Sequence, residues 1–250
     1  MRIAWESAGA GNPVLLIQGL GYARWGWDPV VPALAEAYRV LTFDNRGIGE
    51  SDVPPGPYTA AEMASDALQV LDEAGVERAH VVGASLGGMI AQELAVRAPE
   101  RVDRLVLCCT TPGGAGAVPM PARTVALFVE AAQLEPEVAL RRFVENALGP
   151  DGAGLVDEIV ARRLAHPFDP SGWQAQAAAG TTFAGTALET IQAPTLVIHG
   201  TDDAVVDAAN AELLTERIPQ ATLVLLPRAG HLLFWERPAE FVRIVAGFLG

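Results

Sequence analysis

The run Val81-Val82-Gly83-Ala84-Ser85-Leu86-Gly87-Gly88 narrows the folds open to this chain more than any other stretch. An apolar strand pattern from Ala79 to Gly83 passes through Gly-x-Ser-x-Gly into Leu86, Met89, Ile90, Glu93, Leu94 and Arg97 at helical spacing, and Ala98-Pro99 closes that helix. Such a turn presses the end of a strand against the start of a helix, so Gly83 and Gly87 stand where a Cβ would collide. It also lifts the Ser85 hydroxyl, by itself a weak nucleophile, to where a base and oxyanion donors can converge on it. In 250 residues with 25 glycines the pentapeptide arises by chance roughly one time in twenty. The strand before it and the helix after it therefore carry the reading.

The rest of the chain repeats the alternation. Strand patterns run from Arg2 to Glu6, Val14 to Ile17, Arg39 to Phe43, Arg104 to Cys109, Ala193 to Ile198 and Ala221 to Leu226. Between them, Asp28-Pro29 reads as an N-cap and first turn, and Thr59-Ala60-Ala61-Glu62 as a capping box for a helix through Leu71 that Gly75 ends. Further helices are expected near Ala208 to Arg217 and after Pro238. This order predicts an α/β fold: a mostly parallel central sheet with helices on both faces. From Thr111 to Gln192 the strand signal stops, and helical stretches near 121–134, 137–148, 155–166 and 171–182 follow one another. Residues 1–111 and 193–250 are thus expected to form one core domain, with 112–192 a helical cap inserted over the site.

Composition excludes several functions. The net charge is −13 and all 17 basic residues are arginine, so nucleic acid is not an expected partner. The pairs Arg141-Arg142 and Arg162-Arg163 read as solvated helix faces. No apolar run is long enough to span a membrane, and Met1 to Glu6 turns polar at once, without a signal peptide; a cytoplasmic protein is expected. Cys108 and Cys109 are adjacent on a buried strand pattern, which predicts side chains on opposite faces and no metal cage. With no His/Cys/carboxylate cluster at ligand spacing, neither metal nor cofactor is implied.

A seryl nucleophile needs a base, and the base needs a carboxylate to fix its tautomer. Among the four histidines, His80 and His199 fall inside strand patterns and read as buried core residues, and His166 sits in the cap. His231 follows the last strand on a loop at its carboxyl end, where ligands of open α/β sheets bind, and is the candidate base. Ile198-His199-Gly200-Thr201-Asp202-Asp203 places two carboxylates past a buried strand at the same edge, so Asp202 and Asp203 are both candidate acids. The backbone N–H groups of Leu86, opening the helix after Ser85, and of Leu20, in a loop bent by Gly19 and Gly21, are candidate oxyanion donors. Gly19, Gly21, Trp25 and Trp235 are candidate pocket residues, and Trp27 is a further aromatic near them.

These residues resemble the α/β-hydrolase family, and the N-terminal half resembles its β-ketoadipate enol-lactonase and esterase branch. The marks are Gln18-Gly19-Leu20-Gly21, Asp44-Asn45-Arg46-Gly47-Ile48-Gly49-Glu50-Ser51, Pro54-Pro55-Gly56-Pro57-Tyr58-Thr59, the Ser85 turn, Ala98-Pro99-Glu100-Arg101-Val102, Gly200-x-x-Asp203 and Gly230-His231. Gln18 stands where the family commonly has histidine, and residues 112–192 do not resemble the enol-lactonases. The resemblance implies Ser85, Asp203 and His231 as a triad, with Leu20 and Leu86 as oxyanion donors. The expected activity is cofactor-free hydrolysis of small-molecule carboxylic esters or lactones through an acyl-enzyme. Alternatives on the same triad are carbon–carbon bond hydrolysis or perhydrolase chemistry; an alternative of another kind is a capped small-molecule receptor without turnover.

Overall fold

Apolar residues at successive strand positions face opposite sides of a sheet, and here both sides are covered. The computed structural model describes residues 1–250. Seven strands, β1 (Trp5–Ala8), β2 (Asn12–Ile17), β3 (Tyr38–Phe43), β4 (Ala79–Ala84), β5 (Val102–Cys108), β6 (Thr195–Gly200) and β7 (Ala221–Leu226), form one sheet. Their order is β1-β3-β2-β4-β5-β6-β7; β1 runs antiparallel to β3 and every other pair is parallel. Leu15, Ile17, Val81, Leu105 and Leu107 enter one core, whereas their strand neighbours Val14, Leu16, Val82, Val106 and Cys108 enter the other.

The helices are α1 (Val31–Leu34), α2 (Ala60–Glu73), α3 (Leu86–Arg97), α4 (Ala122–Ala131), α5 (Pro136–Ala147), α6 (Val156–Ala165), α7 (Pro170–Thr181), α8 (Ala209–Arg217), α9 (Leu233–Glu236) and α10 (Pro238–Leu249). α2 begins at the expected capping box: the Thr59 hydroxyl accepts from Glu62 N, and the Glu62 carboxylate accepts from Thr59 N at 2.9 Å. α4 to α7 all lie between β5 and β6, a helical insertion with no strand of its own. None of the helices is long and apolar enough to cross a membrane.

Strand order reverses beside β2, with β3 on one side and β4 on the other, and the crevice at such a point is where open α/β sheets place their sites. Register brings the relevant strand ends level: Ile17 lies beside Gly83, Ala84 beside Cys108, and Cys108 beside Ile198. The loops carrying residues 18–21, 85, 109–110 and 201–206 therefore leave the same edge.

Local expectations fail where tertiary contacts override them. Asp28 does not cap a helix; a 3-10 turn occupies Arg24–Trp27, α1 starts only at Val31, and the Asp28 carboxylate pairs with Arg162 of α6. Arg162 and Arg163 are accordingly not a solvated face, since Arg162 also lies over the Trp235 ring and Arg163 over Tyr22, 4.5 Å from its centroid. β1 lies at Trp5–Ala8, later than the Arg2–Glu6 pattern, because its partners are Phe43 to Val40. Cys108 and Cys109 do not face opposite sides: β5 ends at Cys108, Cys109 turns to φ 46°, and both thiols join the same core.

Glycine is obligatory where α3 meets β2. A Cβ on Gly87 would lie 2.1 Å from the Ile17 carbonyl oxygen, and one on Gly83 would lie 2.3 Å from the Gly87 carbonyl oxygen. Both obstacles are backbone and cannot rotate away. Gly87→Ala should lower unfolding free energy by about 1–3 kcal/mol, the usual cost of overpacking; a urea midpoint equal to that of wild type would show that the helix can shift.

Candidate active site

Ser85 occupies the turn between β4 and α3 with φ 55° and ψ −118°, a conformation that costs a non-glycine residue roughly 1–3 kcal/mol. Neighbours hold it there. Ser85 N donates to the Cys108 carbonyl at 2.9 Å, and the Thr110 hydroxyl donates to the Ser85 carbonyl at 2.7 Å. The side chain is half-buried, against Gly19, where an added Cβ would stand 3.0 Å from Ser85 Cβ and 3.5 Å from Oγ.

His231 and Asp203 meet although 28 residues separate them: His231 Nδ1 bonds to Asp203 Oδ2 at 2.8 Å. The other carboxylate oxygen, Oδ1, accepts from Val205 N at 2.8 Å and Val206 N at 2.9 Å. A buried acid needs this many donors to stay ionised. Burial by itself would raise the Asp203 pKa, but the charge of His231 and hydrogen bonds from His199 and His231 outweigh it and hold the carboxyl well below the ordinary range. Asp202 is exposed and accepts from the Thr201 hydroxyl at 2.8 Å, so of the two candidate acids only Asp203 reaches His231. The histidine loop is fixed by His231 N donating to the Ala147 carbonyl of α5 at 2.7 Å. Beside it, Glu236 accepts from Gly230 N and Gly149 N, and burial shifts its carboxyl upward.

Sequence reasoning missed a second histidine at the acid. His199, with none of its surface exposed, sets Nε2 3.0 Å from Asp203 Oδ2 and 3.0 Å from the Val206 carbonyl. Both neighbours are acceptors, so Nε2 carries the proton. Nδ1 is buried and has no hydrogen-bond partner in the protein. The i,i+4 spacing in His199-Gly200-Thr201-Asp202-Asp203 was the available signal. Cys109 Sγ lies near both, and the three potential metal ligands fall within 4.8 Å of one another. Their chemistry does not suit a cation: burial holds the Cys109 thiol protonated, and the Asp203 oxygens are already taken by N–H donors.

The loop after β2, the candidate oxyanion loop, leaves one amide free. Gly19 N–H donates to the side-chain oxygen of Gln18 at 2.9 Å and Gly21 N–H to that of Gln176 at 3.1 Å, while Leu20 N–H makes no hydrogen bond within the protein. Leu86 opens α3, where the first-turn amides have no partner inside the helix. Trp25 and Trp235 are buried in the seam between insertion and sheet: Trp25 stacks on His166 at 5.3 Å, and Trp235 Nε1 donates to the Gly26 carbonyl at 2.9 Å. Trp27 is fully buried against Phe234. An open cleft of about 560 Å³, lined by Arg123, Glu145, Asn146, Asp202 and Asp203 among others, includes neither Ser85 nor His231.

Sheet order, turn and histidine–aspartate pair together define a known class, and residues 12–238 match the family model of the alpha/beta hydrolase fold. The chain belongs to that family. It is 33% identical over 98% of its length, and 94% of the relative's, to a protein assigned as the carbamate hydrolase RutD of Azorhizobium caulinodans. It is 34% identical to a 2-hydroxy-6-oxononadienedioate/2-hydroxy-6-oxononatrienedioate hydrolase of Cupriavidus pinatubonensis, over all of this chain and 91% of that one. Among solved structures, the enol-lactonase of Burkholderia xenovorans LB400 superposes with a TM-score of 0.85 at 29% identity, covering 99% of this chain and 96% of that chain.

The Asp203 pKa carries a stability consequence. Because the folded value lies below the unfolded ~3.9, the carboxylate stabilises the fold at pH above ~4, and that contribution is lost as pH falls through the folded value. The gap in unfolding free energy between wild type and Asp203→Asn should be widest near pH 6 and narrow toward pH 3. A gap constant across that range in urea titrations would show that Asp203 is not held ionised.

Proposed function

We propose that the chain is a serine hydrolase that cleaves small carboxylic esters or lactones through an acyl-enzyme. The observation that carries this reading is the 2.8 Å bond from His231 Nδ1 to Asp203, on the same sheet edge as the strained Ser85 turn. With Nδ1 committed to the acid, His231 Nε2 is the nitrogen left to take the Ser85 proton. Ser85 Oγ attacks the substrate carbonyl carbon, and the carbonyl electrons move onto oxygen, where the Leu20 and Leu86 amides receive the charge. As the tetrahedral species collapses, the carbon–oxygen bond to the alcohol breaks and His231 delivers its proton to that leaving oxygen. Water then attacks the acyl group with His231 again as base, releasing the acid and restoring Ser85. No step calls for a metal or organic cofactor.

Similarity to the enol-lactonase supports ester or lactone substrates. Similarity to the oxononadienedioate hydrolase supports a second reading, in which the same residues cleave a carbon–carbon bond. Since loops and insertions set substrate choice while the sheet positions the nucleophile, a rate comparison separates the two. Initial rates on 4-nitrophenyl esters of increasing acyl length and on an enol-lactone should exceed the rate on a vinylogous diketone; the reverse order would favour carbon–carbon hydrolysis.

Ser85→Ala should lower kcat on the order of 10⁶-fold. A fluorophosphonate should add one label per chain to wild type and none to Ser85→Ala by intact mass. Absence of labelling in the wild type would point instead to a receptor.

A further inference from the structure

The oxyanion loop is held partly from outside the sheet. Gln176, on α7 of the insertion, has no exposed surface and uses both ends of its amide. Its side-chain oxygen accepts from Gly21 N at 3.1 Å, 155 residues away, and its Nε2 donates to the Arg46 carbonyl at 2.7 Å. The first contact is to the oxyanion loop, the second to the loop after β3. A glutamine buried this completely must keep both bonds or lose the cost of desolvating each group.

The surroundings make the bridge rigid. Gly21 has φ 72°, and a Cβ there would meet the Trp173 indole at 2.8 Å, so α7 lies directly on the loop. Gly172 sits against Gly47, where a Cβ would stand 2.1 Å from the Gly47 carbonyl oxygen. Tyr58 N donates to the Ala175 carbonyl at 3.3 Å. On the loop's other flank, Asn45 Nδ2 donates to the Gln18 carbonyl at 2.9 Å and Gln18 Oε1 accepts from Gly19 N. The 18–19 and 20–21 peptides are thus pinned by side chains, and the Leu20 N–H, on the peptide between them, is unclaimed.

We propose that Gln176 is a positioning residue of the oxyanion hole: by fixing the Gly21 amide to the Arg46 carbonyl, it aims the Leu20 N–H at the oxygen that becomes charged. The inference rests on the proposed hydrolase mechanism. It gives the insertion a part in the rate of reaction, in addition to any part in substrate choice.

The test uses the full-length enzyme with 4-nitrophenyl butyrate as substrate and an alkyl trifluoromethyl ketone as a tetrahedral-adduct inhibitor. Gln176→Met keeps the volume and loses both hydrogen bonds. A misplaced oxyanion donor should lower kcat about 10- to 100-fold, leave KM within about threefold, and weaken the ketone by a factor similar to that in kcat. Gln176→Glu supplies an internal rescue. A protonated carboxyl can accept from Gly21 N and donate to the Arg46 carbonyl, whereas the ionised form repels that carbonyl. Its rate relative to wild type at the same pH should therefore rise as pH falls, while the Gln176→Met ratio stays flat. If Gln176→Met fails to fold, the pH course of Gln176→Glu decides alone. Equal kcat and ketone affinity in Gln176→Met and wild type, or a Gln176→Glu ratio that does not change with pH, would overturn the proposal. Wild type that resists the fluorophosphonate would instead remove the hydrolase reading beneath it.

Discussion

A carboxylate with none of its side chain exposed to water, yet ionised, is the constraint around which this edge of the sheet is arranged. Asp203 stays charged only because four N–H groups close on it: the backbone amides of Val205 and Val206 on one oxygen, and the rings of His199 and His231 on the other. Each donor constrains its own segment. The two amides tighten the loop after β6 into a turn, His199 locks the end of that strand, and His231 draws in the loop after β7. Gly200 is part of the same arrangement, because a Cβ there would lie 2.2 Å from the Ala229 carbonyl oxygen and force the two loops apart.

Ser85, the proposed nucleophile, is fixed by a different kind of force, shape in place of charge. Gly83, Gly87 and Gly88 let α3 approach β2, β4 and the Thr110 side chain at distances no other residue allows, and Ser85 takes up the remaining bend as backbone strain. The electrostatic half and the steric half share one boundary, the end of β5. There Cys108 receives the Ser85 amide and Cys109 packs beside Asp203 and His199.

Legibility followed the range of each interaction. The capping box at Thr59 and Glu62, the strands around Val81 and Leu223, the glycines flanking Ser85 and the edge carrying His231 were readable because each signal lies within a few residues of its effect. Features decided by distant partners were not. Asp28 looks like a helix cap until Arg162 of α6 takes its carboxylate. The Arg162-Arg163 pair looks solvated until the insertion folds back over Trp235 and Tyr22. His199 looks like a core histidine, and is one, but strand periodicity says nothing of the carboxylate that returns to it from the next loop. Gln176 carried no signal: an amide in an alanine-rich helix is ordinary until the loop it reaches is known.

The insertion grips two loops of the proposed site at once. Gln176 holds the segment after β2, while the Ala147 carbonyl, at the end of α5, accepts the backbone amide of His231. An insertion that only closed over bound substrate could be exchanged without moving the loops beneath it. Under the proposed mechanism a transplanted insertion would have to reproduce both handholds, so natural drift or laboratory grafting toward a new substrate would trade against turnover from its first step.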